Sequence, residues 1–158
     1  MPSDVAPREE LAGALHRLAE NDGGRRLLQL AVRGLERERA ELDAGCWTRR
    51  GDAGCLFQHA YWEGVETGDF ADDGDARAWV SRVAGRSGWP RVIDAIAAFD
   101  RLARSEYSGP RSRVPGRRAR LDRRAWRAAV LQLLVEALAD SRPALATQDR
   151  QVVEYSKS

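Results

Sequence analysis

Leu11, Ala14, Leu15 and Leu18 recur at intervals of three and four, which places them on one face of a helix. Pro7 suits the first turn of that helix, and Glu9 and Glu10 complement its N-terminal dipole. The run Asn21-Asp22-Gly23-Gly24 breaks the pattern. A second stripe, Leu27, Leu28, Ala31, Leu35 and Leu42, predicts a helix over 25–44 that stops at Gly45. A third helix is expected over 54–66, with Asp52 as a start signal. Leu56, Ala60 and Gly64 line one side of it, Phe57 and Tyr61 lie beside them, and Gly64 marks a close helix crossing. Asp75 reads as the N-cap of a short helix over 76–84. Ser87-Gly88-Trp89-Pro90 then opens a helix over 90–107 that buries Ile93, Ile96, Ala97, Phe99 and Ala103. Asp122 caps a last helix over 123–140, whose apolar face is Trp126, Val130, Leu133, Leu134, Ala137 and Leu138, and Pro143 stops it.

Period-2 alternation is absent, β-branched residues are few, and no internal repeat or heptad array appears. The pattern therefore predicts an all-α fold: a compact bundle of five or six helices with an irregular loop at 45–53 and a basic loop at 108–121. The expected organisation is a disordered lead at 1–7, a single helical domain at 8–142 and a loose tail at 143–158. A chain of 158 residues is long enough to bury a core without disulfides or a metal.

Charge changes the picture more than bulk composition does. The net charge is only +2, yet residues 111–127 hold eight arginines and one aspartate, so the remaining residues sum to −5. Arg111, Arg113, Arg117, Arg118, Arg120, Arg123, Arg124 and Arg127 flank a helix start, a combination suited to binding anions. All but one of the 26 basic residues are arginine, which favours bidentate carboxylate and phosphate contacts. Few Asn or Gln residues lie nearby to read base edges, so a nucleic acid would be held by its phosphates, with Tyr107 and Trp126 bracketing the segment as stacking platforms. The competing reading pairs these arginines with the acidic stretches 36–43 and 66–75 of the same chain.

The second cluster is chemical. Both cysteines, one of the two histidines and two of the five tryptophans fall within seventeen residues: Cys46, Trp47, Cys55, His59 and Trp62. Cys55 and His59 are four apart and share a helix face, and Cys46 precedes them in a loop. With His16 they make up a Cys2His2 set for tetrahedral zinc; with Glu63 in place of His16 the site becomes an open, catalytic type. A thiol enzyme or redox switch at Cys55, its pKa lowered by a helix N-terminus, is a further alternative. The plain reading is that Cys55 is a small core residue and that His59 edges the core with a hydrogen bond, which leaves the protein without a cofactor. Asp69, Asp72, Asp73 and Asp75 invite a calcium reading, but their spacing does not match an EF-hand.

No P-loop, GxGxxG, GxSxG or HExxH motif occurs. Two cysteines without disulfide-like spacing, no signal peptide and no long apolar run suggest a cytoplasmic protein that has no membrane partner. The expectation is a small non-enzymatic helical binding or regulatory domain that engages an acidic partner, a nucleic-acid backbone or an acidic protein, through residues 111–127.

Overall fold

A computed structural model describes residues 6–37, 40–43, 53–68, 75–107 and 122–156, with side chains as far as Ser141. Five helices pack against one another: α1 (Pro7–Ala19), α2 (Asp22–Leu35), α3 (Leu56–Glu66), α4 (Ala76–Glu106) and α5 (Arg123–Ser156). The fold is the all-α bundle that the hydrophobic pattern predicts. Among the described residues no helix is long and apolar enough to cross a membrane.

α1 begins as expected, with Pro7 in its first turn and Leu11, Ala14, Leu15 and Leu18 buried. It lies antiparallel to the second half of α4. Arg8 pairs with Glu106 at 2.7 Å, Glu10 with Arg101, and Glu20 with Arg91 at 3.2 Å, so rising numbers on α1 meet falling numbers on α4.

α2 starts three residues earlier than the glycine pair suggested. The Asn21 side chain accepts from the Gly24 N–H at 2.9 Å, which makes Asn21 the N-cap and draws both glycines into the first turn. Their role is proximity. A Cβ on Gly23 would stand 1.8 Å from the Val83 carbonyl oxygen, and one on Gly24 would stand 2.2 Å from that of Leu18. The helix ends at Leu35 rather than running to residue 44. Beyond Leu35 the chain offers no continuing apolar face, and its charges are used by distant partners instead of by a helix surface.

Residues Glu41–Leu42 (β1) pair in parallel with Ala53–Gly54 (β2), and the Asp43 N–H donates to the Gly54 carbonyl at 2.9 Å. A two-residue strand is too short to show alternation, so the hydrophobic pattern carries no sign of it.

α4 joins the two helices expected at 76–84 and 90–107. Its backbone breaks at Gly85, with φ 74° and ψ 177°, a left-handed conformation suited to glycine. Pro90 lies inside the second half of α4, where its ring removes one intrahelical hydrogen bond. Asp75 caps the start, accepting from the Ala78 N–H at 3.0 Å. The buried stripe is Val92, Ala95, Ala98, Phe99, Leu102 and Ala103, so Phe99 and Ala103 are buried as expected, Ile96 packs against the core at its edge, and Ile93 is 43% exposed.

α5 opens on the predicted cap, Asp122 accepting from the Ala125 N–H at 2.8 Å. Trp126, Val130, Leu134 and Ala137 are buried. The helical backbone continues through Pro143 to Ser156 instead of stopping there. A proline removes one hydrogen bond, and the Ala144-Leu145-Ala146 run after it is strongly helix-forming.

Candidate functional site

α3 has buried residues on nearly every side. Leu56, Phe57, Ala60 and Tyr61 supply its apolar contacts, and Gln58, His59 and Glu63 are also buried. Tyr61 meets Trp79 of α4 edge to face at 5.8 Å. Cys55, His59 and Glu63 recur every four residues, so they form a single ridge along the helix. A polar ridge can be buried only where partners satisfy it.

Three neighbours cover this ridge. α2 comes very close at Gly34, where a Cβ would stand 2.7 Å from the His59 carbonyl oxygen. Arg37, just past α2, reaches Glu63 at 2.6 Å and Glu66 at 2.9 Å. The third cover is the segment around β1. His59 Nε2 lies 2.7 Å from the Glu41 carbonyl oxygen, and because a carbonyl only accepts, Nε2 carries the proton and donates. Trp62 meets the His59 ring edge to face at 5.2 Å. Cys55 is buried and forms the N-cap position of α3 without a side-chain cap bond.

The start of α5 grips the same segment from the other side. Arg127 Nη1 donates to the Arg37 carbonyl at 3.0 Å and to the Ala40 carbonyl at 2.8 Å. Arg123 pairs with the Glu41 carboxylate at 2.9 Å. Arg37 and residues 40–43 are therefore strapped between the α3 ridge and the α5 N-terminus. Arg123 takes up the intramolecular pairing with the 36–43 stretch. Arg124, next to it, is exposed and has no hydrogen bond or ion pair among the described residues. Arg111, Arg113, Arg117, Arg118 and Arg120 lie outside the described residues.

Two aromatic assignments change. Trp126 is fully buried and Tyr107 is nearly so. Their rings stack on each other at 5.3 Å and 9°, and Trp126 also meets Phe99 at 5.5 Å. They are core, and neither is a platform for bases. Burial, with the negative charge of Asp43 nearby, raises the Tyr107 pKa against the opposing effect of Arg123.

The expected ligand set is not assembled among the described residues. His16 sits on α1, with Nδ1 donating to the Ala12 carbonyl at 2.6 Å and Nε2 meeting the Asp140 carboxylate of α5 at 2.6 Å. The Asp140 carboxylate, then the Ala12 carbonyl, raise its pKa and favour the imidazolium, which has no lone pair for a metal. His59 gives Nε2 to Glu41, and Glu63 is spent on Arg37. No group of three or more His, Cys, Asp or Glu stands ready for a metal ion among the described residues. Cys46 lies outside them, as do Trp47 and the acids Asp69, Asp72 and Asp73. No signal in the sequence pointed to Arg37, because its pairing with Glu63 and Glu66 joins distant segments, whereas Glu41 falls in the acidic stretch that the charge pattern had offered to the arginines.

Compared with protein-family models, with curated proteins and with solved structures, the chain has no match.

Proposed function

We propose that this chain is a small non-enzymatic helical domain that binds a polyanion, the phosphate backbone of a nucleic acid, through the arginine-rich segment 111–127. The observation that carries the reading is the charge concentration itself: eight arginines and one aspartate in seventeen residues of a chain whose net charge is +2. The labour is divided within that segment. Arg123 and Arg127 anchor the strap, so their guanidinium groups serve the fold. Arg124 is exposed at the α5 start, and it is assigned to the ligand together with Arg111, Arg113, Arg117, Arg118 and Arg120. Recognition by phosphates and not by bases follows from the shortage of amide side chains near the segment and from the burial of Trp126 and Tyr107.

The test is a gel-shift titration of single- and double-stranded DNA and RNA against salt. Binding is expected to weaken steeply from low to moderate salt. Replacing Arg117, Arg118, Arg120 and Arg124 with Ala should abolish retardation, or lower the salt slope by about one for each phosphate left without its arginine, with Tm unchanged. Failure to retard any of these nucleic acids at low salt discards the proposal.

A further inference from the structure

A groove of about 300 Å³ runs between α2 and α5, lined by Arg25, Gln29, Val135, Leu138 and Ala139. Its two walls differ in character. Arg25 and Gln29 are one turn apart on α2 and offer polar groups. Val135, Leu138 and Ala139 keep helical spacing on α5 and offer only hydrocarbon, and Val135 is 47% exposed.

Arg25 is the unusual member. Arg8, Arg37, Arg91, Arg101 and Arg123 each hold a carboxylate. Arg25 has none among the described residues. Its Nη2 donates to the Ala19 carbonyl at 3.2 Å, which fixes the guanidinium at the end of α1. Its Nε is buried and has no acceptor, so only the outer guanidinium nitrogens are available to a ligand in the groove. A positioned cation with no carboxylate partner among the described residues, facing an apolar wall across an open groove, is complementary to an anion that carries a hydrocarbon tail.

We propose that this groove binds an amphipathic monocarboxylate, its carboxylate on the Arg25 guanidinium and its chain along Val135, Leu138 and Ala139. Gln29 gives the carboxylate a second donor. The volume is at the lower end of the range for small-molecule sites, which suits one medium-length chain and excludes a bulky ligand. The site is separate from residues 111–127, so it stands or falls independently of the polyanion reading.

The probe is decanoate below its micelle concentration, with 1-decanol as the uncharged control, followed by amide chemical shifts of the whole chain. Decanoate should perturb the amides of 25–29 and 135–139 and bind about tenfold tighter than decanol, the margin expected of a charge-assisted contact. Arg25→Met should erase the preference for the acid while keeping decanol binding. Val135→Glu, a change at an exposed position that leaves the fold intact, should weaken both. Equal affinity for acid and alcohol in the unaltered protein overturns the proposal, as does perturbation confined to other helices or none at all.

Discussion

The chain has two histidines, and the bundle puts them to opposite uses. His16 is a half-exposed clasp between α1 and α5, held by a carboxylate that favours its charged form. His59 is 4% exposed and donates to a main-chain carbonyl that holds no charge. The first reports on solvent conditions; the second fixes a segment of backbone. The comparison shows that the ring nitrogens follow the partners around them, and that sharing a residue type with a ligand set is no guide to service in one.

His59→Ala should break this contrast most severely. It removes a buried ring, leaves a void beside Gly34 and Trp62, and orphans the Glu41 carbonyl. Urea unfolding is expected to show a loss of about 2–4 kcal/mol. A loss of about a few tenths would mean that the ring does not hold the strap. Arg127→Ala attacks the same segment from α5 by deleting two hydrogen bonds to carbonyls, and about 1–2 kcal/mol should go. The double variant sharpens the point: the two losses should be non-additive by more than about 0.5 kcal/mol, because both side chains restrain the same strap. Strict additivity would show that the strap is not one unit.

His16→Gln should have the smallest effect, and one that depends on pH. The folded-state pKa is raised, so the contribution is complete below the ordinary value of 6.5 and is lost as pH rises through the elevated value. With Asp140 and Glu136 facing a largely solvated ring, the contribution amounts to about a few tenths of a kcal/mol. Melting curves of the native chain should therefore lose a little stability as pH rises from about 6 to about 8, and His16→Gln should flatten that slope. An unchanged slope in the variant assigns the titration elsewhere.

How far the sequence could be read varied from element to element. The stripes of α1 and α5 and the caps Asp75 and Asp122 were legible because each depends on neighbours within a turn or two. The end of α2 was not: Arg37, Glu41 and Arg127 find their partners tens of residues away, and only those contacts decide where the helix stops. On α4 Phe99 and Ala103 were legible as core, but Ile93 is exposed although it is apolar, because which side of the helix meets the bundle is set by its neighbours. For the candidate site, spacing correctly placed Cys55, His59 and Glu63 on one ridge. The plain reading of Cys55 as a core residue and of His59 as a hydrogen-bonded edge of the core also holds, but the burial of Glu63 was not legible, because it depends on the distant Arg37. The split within the arginine segment, with Arg123 and Arg127 bound to the segment around β1 and Arg124 left exposed, is equally invisible to charge counting.

The parallel pairing of Glu41–Leu42 with Ala53–Gly54 has an engineering consequence. Both rims of the intervening stretch are fastened side by side before anything is added between them. The entropy of closing a longer connection grows only with the logarithm of its length. A reporter domain or an affinity tag spliced into residues 44–52 should therefore leave the bundle assembled, which makes this stretch a natural port for grafting.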